Sequence, residues 1–141
     1  LGEPKGAMMT SVRIKDYMVS QPVTVLQSAT IAEAARSIIE EKVSGVVVVN
    51  EAGVVVGMLS ELDCLRNLLS EAYNGQAIGG EAVALAMTTP VTTCAADADI
   101  ISIAESMLST KQRRRPVVDQ GKLLGQITCR QLLGALLDFG S

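Results

Sequence analysis

The 141-residue sequence contains no histidine and no tryptophan, and its aromatic side chains are limited to two tyrosines and one phenylalanine. The absence of histidine excludes Ser-His-Asp and Cys-His mechanisms, together with every histidine-based zinc site. So few aromatic rings argue against a surface that stacks nucleic-acid bases. Three large classes of functional site are therefore excluded before any motif is considered.

The chain is also poor in cysteine and has no long apolar run. Cys64, Cys94 and Cys129 are widely separated and form no C-x-x-C pair, so we expect buried or half-buried thiols, with no disulfide framework and no metal site. The apolar runs are too short to span a bilayer. The first residues also lack the basic and apolar segments of a signal peptide. These absences predict a cytoplasmic protein without a membrane partner.

What is present indicates a folded domain. Hydrophobic residues make up 48% of the chain and charged residues 19%, and the formal net charge is −3. This balance is typical of an ordered domain and, with one basic stretch only, argues against a nucleic-acid partner. We expect residues 1–11 to be an N-terminal extension or cloning remnant, with Met8 or Met9 as a native start.

An internal repeat organises the sequence. Residues 18–25 resemble residues 87–93, so that Pro22 recurs as Pro90, 68 residues later. Residues 31–39 recur as residues 100–108 at a distance of 69, and residues 57–60 recur as residues 125–128 at 68. Three segments that agree to within one residue predict two tandem copies.

Each copy has the same predicted order of elements. The first has strands at 23–26, 46–49 and 54–59, with a helix that follows the Thr30–Glu33 capping-box pattern and another at 62–73. The second has strands at 116–118 and 123–127, a helix that starts at Asp99 and another at 130–137. The fold class is therefore α/β, with β-α-β-β-α units at residues 12–75 and 81–139 joined by a linker at 76–80. We expect the two units to pack with pseudo-twofold symmetry around a cleft.

These motifs resemble a family. Pro-Val-Thr opens the first strand and Arg-Pro-Val-Val-Asp lies at the second. Before the last helix, Gly57-Met58-Leu59-Ser60 recurs as Gly125-Gln126-Ile127-Thr128. The duplicated set is similar to a pair of CBS domains, named after cystathionine β-synthase, over nearly the whole chain. The resemblance implies a regulatory module without catalytic residues that binds AMP, ADP, ATP or S-adenosylmethionine in the cleft and transmits that binding to a partner. No covalent cofactor is implied, and a homodimer is expected.

The resemblance implies a set of ligand-binding residues: Thr24, Ser44, Gly45, Val46, Ser60, Asp63, Arg113, Arg114, Arg115, Pro116, Thr128 and Gln131. Asp63 is placed to accept both hydroxyls of a ribose, and Ser60 with the helix N-terminus favours a phosphate. An N-cap with an acidic first turn explains the same pattern without a ligand. The sequence leaves both interpretations open.

The second copy departs from the pattern, because Gln131 stands where Asp63 predicts a carboxylate. A glutamine lacks the charge-assisted geometry, so the Asp63 site is the stronger of the two. Residues 111–115 are the one dense basic stretch, with Arg113 and Arg115 on one face of an extended segment and Arg114 on the other. They either contact a phosphate or form a solvated cluster at a helix end.

Two functions from different classes remain at this point. One is a nucleotide-sensing module that acts on an unidentified regulated protein. The other is a dimerisation or docking module with a vestigial cleft, which the missing carboxylate at Gln131 favours. An enzyme is not expected, because no histidine can activate a cysteine.

Overall fold

A computed structural model of the chain describes residues 12–139, so the predicted extension at residues 1–11 lies outside the described residues. In chain order the elements are β1 (Val19–Ser20), β2 (Thr24–Leu26), α1 (Ile31–Glu41), β3 (Gly45–Val49), β4 (Val55–Ser60), α2 (Glu61–Tyr73), β5 (Cys94–Ala95), α3 (Ile100–Thr110), β6 (Arg114–Asp119), β7 (Lys122–Thr128) and α4 (Cys129–Phe139). Short 3-10 turns lie at Ile14–Asp16 and Val83–Leu85. The predicted α/β class with tandem β-α-β-β-α units is confirmed.

The capping box that predicted the first helix is present as a pair of hydrogen bonds between Thr30 and Glu33. The amide of Glu33 donates to the hydroxyl of Thr30 at 3.1 Å, and the amide of Thr30 donates to the Glu33 carboxylate at 3.0 Å. The amide of Thr30 and, at 2.9 Å, its hydroxyl both donate to the carboxylate, and these hydrogen bonds hold the pKa of Glu33 below its usual value. The helix ends at Lys42 in the left-handed conformation, as α3 ends at Lys111.

The strands form two sheets. In the first, β2 runs parallel to β3 and β3 runs antiparallel to β4. Val46, Val47 and Val48 of β3 are at most 1% exposed, which confirms that a strand without polar alternation is covered on both faces. In the second sheet the order is β1-β7-β6-β5, with β5 parallel to β6 and β1 antiparallel to β7.

The described residues divide into two packing units, each with its own hydrophobic core. Unit I comprises residues 22–91 and 121–123, and unit II comprises residues 12–21, 92–120 and 124–139. The core of unit I includes Ile31, Leu59 and Val83. The core of unit II includes Ile14 and Ile127 among other fully buried aliphatic side chains.

The segment that leads into each repeat packs in the unit built mainly from the other repeat. The amide of Ile14 donates to the carbonyl of Ala98 at 3.0 Å. The amide of Val83 donates to the carbonyl of Ala29 at 2.8 Å. Ile14 and Val83 lie 69 residues apart and are both fully buried. The sequence repeats and the packing units are therefore different divisions of the chain.

The glycine-rich linker docks onto the N-terminus of α1. The amide of Ala32 donates to the carbonyl of Gly79 at 3.0 Å, and the amide of Ile31 donates to that of Glu81 at 2.9 Å. The amide of Gly79 in turn donates to the buried carboxylate of Glu71 at 2.9 Å. The backbone carbonyls of Gly79 in the linker and of Glu81 just after it thus satisfy amides that the first turn of a helix leaves without partners.

Candidate ligand site

The end of β4 and the start of α2 are held by a second capping box. The amide of Asp63 donates to the hydroxyl of Ser60 at 3.1 Å, and the amide of Ser60 donates to Oδ2 of Asp63 at 2.9 Å. Oδ1 of Asp63 lies 3.3 Å from Nη1 of Arg66, whose side chain is 75% exposed against 20% for Asp63. An ion pair so open to solvent adds little stability. The carboxylate is therefore fixed in direction by the capping box while part of it faces solvent.

The start of β3 lies beside this box. Gly45 pairs with Ser60 across the sheet, and the amide of Glu61 donates to the carbonyl of Ser44 at 2.9 Å. Two of the first three amides of α2 thus already have acceptors within the chain, which weakens this helix end as a phosphate site. The structure brings together Ser44, Gly45, Ser60 and Asp63 in unit I.

Thr24 and Val46, the other two predicted residues of unit I, do not join this group. Thr24 is exposed on β2, where it pairs with Val47, two residues along β3 from Gly45. The side chain of Val46 is 1% exposed and belongs to the core. Val46 therefore offers a ligand no side-chain surface in this structure.

The second repeat reproduces the box with glutamine. The amide of Thr128 donates to Oε1 of Gln131 at 3.1 Å, the amide of Gln131 donates to the Thr128 hydroxyl at 3.4 Å, and that hydroxyl also contacts Oε1. The amide of Cys129 donates to the carbonyl of Arg113 at 3.0 Å. This bond is equivalent to the one from the amide of Glu61 to the carbonyl of Ser44 in unit I. Unit II therefore brings together Arg113, Thr128 and Gln131, with an exposed arginine in the place of Ser44.

The arginines of the basic stretch differ in how deeply they are buried. Arg113 is exposed, Arg114 is half-buried and Arg115 is 3% exposed, while Pro116 is fully buried. Nε of Arg115 donates to the side-chain oxygen of Gln112 and Nη2 donates to the hydroxyl of Ser106, each at 2.9 Å. Arg115 is thus engaged inside unit II by neutral groups of the neighbouring helix and turn.

A polar groove runs along α2 from Asp63. It has a volume of about 290 Å³ and is lined by Asp63, Arg66, Asn67, Ser70 and Ala86. The amide oxygen Oδ1 of Asn67 is buried and has no hydrogen-bond partner in the structure. Sequence reasoning missed Arg66 and Asn67, although the spacing of 63, 66, 67 and 70 marks one polar helix face.

The cysteines differ from each other. Cys64 and Cys94 are buried as predicted, and burial is the main cause that raises the pKa of both thiols. Cys129 is exposed, so the prediction of a buried or half-buried thiol is wrong there, because it occupies the first position of α4, where the side chain points away from the core. Among residues 12–139, no group of three His, Cys, Asp or Glu is arranged to hold a metal ion.

Comparison with known families identifies the repeats. The model of the CBS domain matches the chain twice, at residues 14–70 and at residues 81–138. The chain belongs to the CBS-domain family. Each match covers one sequence repeat, so the resemblance to a CBS pair is confirmed.

Relatives of this CBS pair are similar over most of its length. The CBS domain-containing protein YhcV of Bacillus subtilis is 30% identical over 119 residues, which cover 84% of this chain and 81% of that protein. Two other relatives, both from archaea, are longer, and the chain spans 63% and 42% of their length. No helix within residues 12–139 is long and apolar enough to span a membrane.

Solved CBS structures share the fold. CBSX2 of Arabidopsis thaliana, solved in complex with AMP, has a TM-score of 0.79 and 28% identity, and the match covers 93% of this chain and 100% of that one. The CBS domain pair of MJ0100, solved with 5-methylthioadenosine and S-adenosyl-L-methionine, has a TM-score of 0.75 and 25% identity, over 92% and 98%. CBS pairs of this fold thus include proteins that bind adenosine compounds.

Proposed function

We propose that this CBS pair is a non-catalytic regulatory module that binds an adenosine-containing ligand and passes the bound state to a partner protein. The candidate ligands are AMP, ADP, ATP and S-adenosylmethionine. The observation that carries the proposal is the Asp63 carboxylate, which the Ser60 box holds at the end of β4 with 20% of the side chain exposed. Binding would act by shifting the population of conformations that the partner recognises.

The chemistry around Asp63 suits a ribose. A carboxylate is an acceptor only, and its lone pairs exceed what the Ser60 amide and Arg66 use, so it can accept from sugar hydroxyls. Gly45 is buried at the neighbouring strand start and supports the site from below its surface. Thr24 on β2 and Ser44 just before β3 are exposed residues that carry hydroxyls. The AMP complex of CBSX2 supports an adenosine ligand for this fold.

The corresponding groups of unit II form a weaker candidate. Gln131 presents an amide oxygen that the Thr128 amide and hydroxyl already occupy. Arg113 and Arg114 remain candidates for phosphate contacts, and Arg115, Pro116 and Val46 would contribute through their backbone or as support. We therefore assign the main ligand contacts to Asp63.

The test is calorimetric titration of the four ligands into the wild-type chain and two variants. Asp63→Asn keeps an acceptor for the Ser60 amide but removes the charge. Because hydrogen bonds to charged groups are the stronger ones, we expect it to weaken binding about 10- to 100-fold, while Gln131→Ala changes affinity little.

The matched control is Glu33→Gln, which makes the same change in the equivalent capping box of α1. It should leave ligand affinity unchanged. No saturable binding of any of the four ligands below millimolar concentration would contradict the proposal, and equal effects of the Asp63 and Gln131 variants would contradict the site.

A homodimer is the second part of the proposal, supported by apolar side chains that two helices expose. On α2 these are Leu62, Leu65, Leu69 and Tyr73, each at least 60% exposed, and on α4 they are Leu133, Leu136 and Leu137. Exposed apolar stripes of this kind mark protein interaction surfaces. If no ligand binds, the same faces favour the alternative function, a dimerisation or docking module.

A further inference from the structure

Two methionines at equivalent positions of the repeats each fill the place of a glycine side chain. Met18 and Met87 lie 69 residues apart in the sequence. A Cβ added to Gly125 of β7 would lie 2.8 Å from Sδ of Met18, and a Cβ added to Gly57 of β4 would overlap Sδ of Met87. Each thioether therefore lies directly on the backbone of a buried strand residue.

Contacts, and not backbone conformation, exclude a side chain at these two glycines. Neither Gly57 nor Gly125 has a positive φ, so the backbone itself does not require glycine at either position. At Gly57 the three nearest atoms all belong to Met87, and at Gly125 the carbonyl of Val19 joins Met18 at 2.7 Å from an added Cβ. The glycine of each repeat thus makes room for the methionine in the lead-in segment of the other repeat.

The residues that follow each methionine pair with the strand that carries its glycine. Strand β1, which follows Met18, pairs antiparallel with β7. Thr88 follows Met87, and its amide donates to the carbonyl of Met58 in β4 at 2.8 Å, while the amide of Met58 donates to the carbonyl of Thr88 at 3.1 Å. Both pairings lie just before points where the chain passes from one packing unit to the other. The two methionines therefore hold both lead-in segments where they leave their units.

Both methionines are half-buried at the border of a hydrophobic core, so part of each residue is open to small solutes. Hydrogen peroxide oxidises an accessible thioether to a sulfoxide. The sulfur bonds to one peroxide oxygen, the O–O bond breaks, and the other oxygen leaves as water with both protons. The sulfur loses two electrons and the peroxide gains them. The product is polar and carries one more oxygen, which a sulfur packed against a glycine backbone leaves no room for.

We propose that Met18 and Met87 are paired oxidation sites, at which hydrogen peroxide forms sulfoxides that release the strand pairings of β1 and Thr88. Methionine sulfoxide reductases return the thioether, so the pairings re-form on reduction. Because the same contact occurs in both units, one oxidant loosens both lead-in segments. The proposal does not depend on a bound ligand.

The experiment treats the wild-type chain with hydrogen peroxide, locates the sulfoxides by peptide mass spectrometry and measures amide hydrogen exchange in β1 and at Thr88. We expect sulfoxides at Met18 and Met87 before any at Met107, which is 2% exposed. Exchange at Thr88 should become about tenfold faster, as expected for the loss of one hydrogen bond. Treatment with the reductases should restore slow exchange.

The variant Met18→Leu with Met87→Leu removes both sulfurs and nearly conserves side-chain volume. Peroxide should leave its exchange slow. The matched control is Met58→Leu, which removes another half-buried methionine but keeps both contacts, so the acceleration should persist. The proposal fails if the double variant accelerates as the wild type does, or if both sulfoxides form in the wild type without faster exchange. It also fails if Met18 and Met87 are oxidised no faster than Met107.

A second pair of variants tests the contact without an oxidant. The methyl group added by Gly57→Ala takes the place of Sδ of Met87, so Thr88 should exchange faster in the untreated protein. Gly80→Ala is the control, because nothing lies within 4 Å of an added Cβ there and its φ is not positive. Unchanged exchange in a folded Gly57→Ala protein would contradict the proposed link between the methionine contact and the strand pairing.

Discussion

Arg115 is a buried cation held by side chains of its own unit. In the sequence it stands beside Arg113 and Arg114 as a phosphate contact. In the structure it occupies the position of the buried Val46 of the first repeat, and its guanidinium donates to Ser106 and Gln112. A cation in this position needs those acceptors, because burying an unpaired charge is costly.

We therefore predict that Ser106→Ala lowers the free energy of unfolding by about 1–3 kcal/mol, since it leaves a buried charged donor without its acceptor. Urea titration measures this change. The control is Ser109→Ala on the same helix, where the side chain is exposed and the change should stay within about 0.5 kcal/mol. In an Arg115→Met background the effect of Ser106→Ala should disappear, and persistence of the full loss would show that Arg115 is not its cause.

Single residues were predictable where the signal was local. The boxes at Thr30–Glu33 and Ser60–Asp63 could be found because a capping box is a four-residue pattern. The burial of Arg115 could not, since its acceptors come from a helix and a turn whose placement depends on tertiary packing. The unpaired oxygen of Asn67 is likewise visible only once the groove exists.

At the scale of elements, the linker is a structured part of unit I. Its backbone carbonyls accept from the first amides of α1, and Glu71 holds the amide of Gly79. Gly79 has a φ of +81°, and a Cβ added there would lie 2.6 Å from the Cβ of Ala32. Both the backbone conformation and the close approach require glycine at this position.

A comparison of Gly75 with Gly79 distinguishes the cost of the backbone conformation from the cost of the close approach. Gly75 has a φ of +69° but nothing within 4 Å of an added Cβ, so Gly75→Ala should cost only the left-handed conformation, about 1–2 kcal/mol. Gly79→Ala should cost at least about 1 kcal/mol more, because overpacking adds to strain. Thermal and urea unfolding of both variants measure the difference. Equal losses would show that the linker can move away from α1.

Element types followed from the sequence, and element ends shifted by one or two residues. The basic stretch shows a shift of two residues, since β6 begins at Arg114 where the prediction had it begin at Pro116. A run of arginines gives no alternation of apolar and polar residues, so the strand could not be recognised there from its pattern.

At the scale of the whole molecule, the repeats depend on each other through their lead-in segments. Ile14 is part of the core of unit II, and Val83 is part of the core of unit I. Ile14 and Val83 are equivalent positions of the two repeats, 69 residues apart in the sequence. A sequence repeat does not, however, reveal in which unit a segment packs. Long-range packing of this kind is outside what local patterns determine.

The exposed apolar faces predict the oligomeric state. Leu69 and Leu137 occupy equivalent positions of α2 and α4 and are 64% and 75% exposed. We expect the wild type to sediment as a dimer of the 14.8 kDa chain at micromolar concentration, and Leu69→Lys with Leu137→Lys to sediment as a monomer. Ile39→Lys, at the one exposed large apolar side chain of α1, should remain a dimer. A monomeric wild type would contradict the prediction.

The uneven exposure of the three thiols has a practical consequence. Cys64 and Cys94 are buried, and burial raises their pKa, while Cys129 is exposed at the start of α4. A maleimide dye should therefore attach to Cys129 in the native protein without any engineered cysteine. The backbone amide of Cys129 donates a hydrogen bond to the carbonyl of Arg113, next to the weaker candidate site of unit II. The unmodified sequence thus supplies its own fluorescent reporter for that site.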